Sequence, residues 1–176
     1  MKKIVIFSLI VISVLMINQK EHNVVIPKES LRFRVIASSN QSQDQSLKIE
    51  VRDDIQKHLY SDLVRTDSLQ NAKKTVEENM PHYQKIIEET LMRNHSNQEY
   101  TLNYGLNYFP EKVYKGVSYE EGYYESLVVT LGDGKGDNWW CVMFPPLCLL
   151  EAEESETKTE VEYKFFIQEL INKYFK

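Results

Sequence analysis

From Leu31 to Ala37 the chain reads Leu-Arg-Phe-Arg-Val-Ile-Ala. This alternation of apolar and basic residues has the two-residue period of a half-buried strand, with Leu31, Phe33 and Val35 facing inward. Ser38 to Ser42 is a polar loop, and from Asp44 onward Leu47, Val51, Ile55 and Leu59 recur every four residues, placing one apolar stripe on a helix. Asp44 suits the positive end of that helix, and the pattern breaks near Ser61-Asp62. Asp67 or Ser68 can cap a second helix whose inner face reads Leu69, Ala72, Val76, Met80, Tyr83, Ile87 and Leu91. Pro81 lies inside that stripe and removes a backbone donor, so a kink or break is expected close to Asn79.

Beyond the helices, Tyr100, Leu102, Tyr104, Leu106 and Tyr108 alternate with Thr101, Asn103, Gly105 and Asn107, the clearest strand pattern in the chain, and Phe109-Pro110 ends it. A short extended piece over Lys112 to Ser118 and a turn at Tyr119 to Gly122 lead to a strand from Tyr123 to Leu131. A glycine-rich loop, Gly132 to Asn138, precedes an apolar segment from Trp139 to Leu150 that has no regular period. Glu151, Glu153, Glu154 and Glu156 form an acidic linker, read as a solvated connector in preference to a binding tail. Val161, Phe165, Leu170 and Tyr174 then mark an amphipathic terminal helix, with Lys173 and Lys176 suiting its negative end. The expected fold is α+β: a small, mostly antiparallel sheet with helices packed on one face, forming a single domain after an N-terminal export segment.

That export segment is Met1-Lys2-Lys3 followed by an uncharged apolar run from Ile4 to Ile17. As a helix the run measures roughly 21 Å, short against a hydrocarbon core of about 30 Å but of the length of a signal-peptide core. No Ala-x-Ala lies near Ile17 and no lipobox cysteine follows, so a cleaved signal peptide and an N-terminal tether both stay open. Contact with a membrane is expected through this segment alone. The chain of 176 residues carries 21 basic and 26 acidic side chains, a net charge of −5 that becomes −7 without Lys2 and Lys3. That balance excludes nonspecific binding to nucleic acid.

Catalytic and metal chemistry find little support. His22, His58, His82 and His95 show no ligand spacing, and two cysteines cannot assemble a zinc pattern, so neither metal nor cofactor is expected. Asp133, Lys135 and Asp137 mimic part of a calcium loop, but Lys135 takes a ligand position and Phe144 stands where the closing acid belongs. Gly132, Gly134 and Gly136 lack the spacing of a dinucleotide or phosphate loop. Cys141 reads either as half of a disulfide with Cys148, as a buried thiol, or as the nucleophile of a secreted hydrolase acting on envelope material. Closing a loop of about eight residues would stabilise by roughly 2.5 kcal/mol on the chain-entropy model. Trp139, Trp140 and Phe144 are either core or, beside a flexible glycine loop, a binding hot spot. Arg32 and Arg34 share the polar face of the first strand, solvated, paired with the domain's own acids, or meeting acids on a partner.

Several strings together resemble the stage II sporulation protein R family: Leu31 to Asn40, Asp44-Gln-x-x-Lys48, Val51-Arg52-Asp53, Tyr108-Phe-Pro, Gly122-Tyr-Tyr-Glu125, and the highly specific block from Gly134 through Asn-Trp-Trp-Cys and Phe-Pro-Pro-Leu to Cys148. The resemblance marks a family domain over 26–150, which lies between a signal peptide or signal anchor over 1–20 and an acidic linker with a terminal helix over 151–176. It implies a non-enzymatic signalling protein, made in the forespore and exported into the space between forespore and mother cell. There, such a protein triggers a membrane-embedded aspartic peptidase that removes the pro-sequence of sigma-E. The residues expected to meet that peptidase are Asn138, Trp139, Trp140, Phe144, Pro145 and Pro146, with Arg32 and Arg34.

Overall fold

The computed structural model describes residues 24–148 and 159–175. The apolar run Ile4–Ile17, the acidic linker and Lys176 lie outside the described residues. The strands are β1 (Val24–Val25), β2 (Leu31–Ile36), β3 (Tyr100–Phe109), β4 (Lys112–Tyr114), β5 (Val117–Tyr119), β6 (Gly122–Leu131) and β7 (Asn138–Phe144). The helices are α1 (Ser42–Leu63), α2 (Leu69–Glu78), α3 (Met80–Arg93) and α4 (Glu160–Tyr174). Four strands form a sheet in the order β3-β6-β2-β7, and three form a smaller one in the order β1-β5-β4. The class is α+β. Pairing is antiparallel between β3 and β6 and between β2 and β7, but β2 runs parallel to β6, so the sheet is mixed.

Alternation along β2 decides what each face of the main sheet buries. Leu31, Phe33 and Val35 point to α1, α2 and α3, joining Val51, Ile55, Val76 and Ile87 in one core. Arg32 and Arg34 point the other way. That second face packs Phe109, Tyr124, Trp140 and Val142 against Val117 and Tyr119 of the small sheet and Tyr163 and Ile167 of α4. Three helices therefore share one face, while α4 and the small sheet cover the opposite one.

Local chemistry explains the element boundaries. α1 runs past Ser61-Asp62 to Leu63, because Leu63 adds one more buried member to the four-residue stripe. Asp62 accepts hydrogen bonds from the Tyr83 hydroxyl at 2.8 Å and the Asn79 amide at 3.2 Å. The Ser68 side chain accepts from the Asn71 backbone at the start of α2. At Asn79 the helix breaks, with Pro81 in the first turn of α3, where its missing donor costs nothing. The piece expected as one extended run over Lys112 to Ser118 is a hairpin of β4 and β5. Lys115 and Gly116, at φ 45° and 69°, form the tight connection that the strand twist favours.

Two corrections concern apolar pattern. The segment after Trp139 has no period because β7 is buried on both faces from Trp140 to Phe144, so the polar half of the alternation is missing. In α4 the buried side chains are Tyr163, Ile167 and Leu170, whereas Val161 and Phe165 are 62% and 73% exposed. Leu170 and Tyr174 lie on the inner face as their spacing predicts, but Val161 and Phe165 lie about half a turn from it.

The loops beside β2 and β7 are locked together by polar atoms. Lys48 is buried; its ammonium donates to the Gln45 side chain at 2.6 Å and to the Asp137 carbonyl at 3.1 Å, and burial lowers its pKa. The Asn40 side-chain oxygen accepts from the Asp137 backbone N–H at 2.6 Å. Gly136 donates its N–H to the Ala37 carbonyl, and a Cβ at Gly136 would stand 2.3 Å from the Ser39 carbonyl oxygen. Gly136→Ala is therefore expected to cost about 1–3 kcal/mol, as forced overpacking does. Chemical denaturation of the variant measures this loss, and an unchanged midpoint would show that the two loops separate freely.

Candidate functional site

The block from Gly134 to Cys148 contains strand β7, Asn138–Phe144, whose side chains alternate between the two cores. Asn138 is exposed at the strand's start. Trp139 is half-buried on the α1 side, edge-on to Phe33 at 5.9 Å, with the Arg52 guanidinium 5.1 Å from its ring centre. Trp140, on the other face, is buried edge-on to Phe109 at 5.3 Å and Tyr119 at 5.7 Å. Phe144 is fully buried against Tyr174, and Pro145 and Pro146 are buried as well. Of the segment expected to face a partner, only Asn138 and Trp139 are more than slightly exposed.

Arg32 is not on a solvated face, and no acid pairs with it. Its side chain is 0% exposed, with the guanidinium carbon 3.3 Å from the ring centre of Tyr124, 4.8 Å from that of Trp140 and 5.1 Å from that of Phe109. Only Nη2 reaches an acceptor, the Glu120 carbonyl at 3.5 Å; Nε and Nη1 have no hydrogen-bond partner. Burial lowers its pKa to about 10, opposed in part by the Tyr124 and Tyr119 hydroxyls, so it keeps its charge at neutral pH. Arg34 lies 3.8 Å over the Phe109 ring and donates to the Tyr108 carbonyl at 2.9 Å. These two arginines bind β2 to β3, β6 and β7 by cation–π contact. Among the expected contact residues, Arg32 is thus a structural member of the core.

Cys141 and Cys148 are joined as a disulfide, with their α-carbons 5.7 Å apart. The bond ties the middle of β7 to the turn after it, and the Cys148 carbonyl accepts from Gln56 of α1 at 2.8 Å. A disulfide sulfur is neither a nucleophile nor a metal ligand. Beside it opens a cavity of about 170 Å³, walled by Trp139 to Val142 on one side and by Lys112, Tyr114 and Tyr119 on the other. Because Trp139 and Trp140 point to opposite faces, a hollow touching both lies against the outer edge of β7. Lys112 Nζ stands 5.0 Å from the Trp140 ring centre. The cavity's volume is that of one side chain.

Elsewhere the candidate chemistry dissolves into structure. Asp133 pairs with Lys135 at 2.7 Å. Among the described residues no group of three or more His, Cys, Asp or Glu is placed to hold a metal, and no helix is long and apolar enough to cross a membrane. His58 and His82 touch, ring nitrogen to ring nitrogen at 3.2 Å. In the sequence Lys112 and Tyr114 read only as part of a short extended piece and Tyr119 as part of a turn, since a short hairpin gives no periodic signal; the fold brings them beside β7.

The family model for stage II sporulation protein R matches residues 27–154. The chain belongs to the stage II sporulation protein R family. It is 37% identical over 148 residues to the stage II sporulation protein R of Bacillus subtilis (strain 168), an alignment covering 83% of this chain and 66% of that relative. The chain thus spans slightly less than two thirds of the relative's length. No solved structure is significantly similar to it. Membership of the family ties the protein to sporulation, and the matched span includes the β2 strand, the Asn40–Lys48–Asp137 network and the whole of β7.

Proposed function

We propose that this protein is the exported intercompartmental signal of sporulation: made in the forespore and delivered to the intermembrane space, it activates by binding the membrane-embedded peptidase that cleaves pro-sigma-E. The carrying observation is the Cys141–Cys148 disulfide. It occupies the one thiol on which a hydrolase reading rested, and it is chemistry at home outside the reducing cytosol. The basic run Lys2-Lys3 and the apolar stretch behind it supply the route of export. Asn138, Trp139 and the cavity beside Lys112 are the surface offered to the extracytoplasmic face of the peptidase. Trp140, Phe144, Pro145, Pro146 and Arg32, all buried, and the half-buried Arg34 form the frame that holds this surface in shape.

Trp139→Ala tests the reading, because Trp139 is only half-buried and the variant is expected to fold. Pro-sigma-E processing should fall at least tenfold while the circular dichroism spectrum is unchanged, the size expected when a binding hot spot is removed. A folded variant that supports normal processing would take this surface out of the mechanism.

A further inference from the structure

The two outer edges of the main sheet differ. At the β7 edge, Val142, Met143 and Phe144 are 1%, 0% and 0% exposed, so beyond the hollow beside Trp139 and Trp140 that side is covered. At the other edge β3 runs for ten residues and pairs with β6 in unbroken register, and among the described residues nothing pairs with its outer side. Edges of exported proteins are ordinarily blunted by lysine, proline or a bulge. From Tyr100 to Phe109 this strand has none of them and carries no charge at all, in a chain of net charge −5. Leu106 is 73% exposed and Tyr108 48% exposed on the side of the strand that holds Tyr100, Leu102 and Tyr104.

We infer that β3 is a homodimer interface, pairing antiparallel with β3 of a second copy to make one continuous eight-stranded sheet. The sequence is self-complementary for this. Directly opposite residues in an antiparallel pair share a face. Placing the twofold axis at Tyr104 sets Leu102 against Leu106 and Tyr100 against Tyr108 of the other copy, with Tyr104 against itself. Every exposed apolar side chain of the strand then meets an apolar or aromatic one, and Asn103, Asn107 and Thr101 share the opposite face with Gly105. Absence of charge is what an isologous contact needs, since a residue on or near the axis meets its own like. A second copy satisfies that demand without any other partner.

Sedimentation equilibrium of the full chain in detergent tests this. A concentration-dependent dimer is expected, and Leu106→Lys, at a site too exposed to disturb the fold, should raise its dissociation constant at least tenfold. Tyr104→Cys should form a disulfide-linked dimer under mild oxidation, because only this register brings the two positions face to face. A chain that stays monomeric to about 1 mM, a dimer insensitive to Leu106→Lys, or a Tyr104→Cys protein that does not cross-link would each overturn the inference.

Discussion

Arg32→Ala is expected to destabilise the domain by about 3–5 kcal/mol, the largest effect of any single substitution considered, because it empties a site walled by Tyr124, Trp140 and Phe109. Part of the loss is cation–π attraction to three rings and part is lost contact with the long aliphatic stem. The charge itself works against folding. Burial lowers the guanidinium pKa to about 10, so the unfolded chain holds the proton more tightly than the folded one. The opposition is complete at neutral pH and fades as pH rises past about 10. Arg32→Met keeps most of the volume and removes that opposition, so it should lie within about 1.5 kcal/mol of the parent. Urea unfolding of both variants decides the matter. If methionine is as damaging as alanine, the guanidinium and not the packing holds the strands together.

The Cys141–Cys148 bond carries the second large effect. Cys141→Ser and Cys148→Ser should each lower stability by about 2–3 kcal/mol, the scale expected for a cross-link closing a loop this short. The double variant should lose no more than either single one, since both remove the same bond. Sporulation activity should fall in parallel in the two single variants, through loss of shape around Trp139 to Val142. Loss of activity in Cys141→Ser alone, with Cys148→Ser intact, would return thiol chemistry to consideration.

Strands with one wet face announced themselves. β3 and the helix-facing side of β2 were legible from two-residue alternation, and α1, α2 and α3 from four-residue stripes, including the break at Asn79. Where both faces are buried the signal disappears, which is why β7 read as a formless apolar segment. The role of Arg32 was hidden for a related reason. A basic residue at every second position implies a solvated face, and only long-range pairing with β6 and β7 brings Tyr124 and Trp140 around it. In α4 the spacing of Val161 and Phe165 suggested the inner face, but Tyr163 and Ile167, two residues on from each, are the ones the second core accepts. The candidate cavity was half legible: its β7 wall lies in the specific block, while Lys112, Tyr114 and Tyr119 are brought to it by a hairpin too short to leave a pattern.

The order of pairing also sets the timetable of folding. β2 emerges among the first residues of the described chain, yet it lies between β6 and β7, and its partners begin about ninety positions later. Whether the polypeptide leaves a ribosome or a translocation pore with its amino end in front, the middle of the sheet must wait unpaired until nearly all of the domain has come through. Until then Phe33, Val35 and the buried Arg32 have nothing to close upon. On the proposed route of export, a molecule built this way stays threadable for the whole of its passage and takes its working form only on the far side.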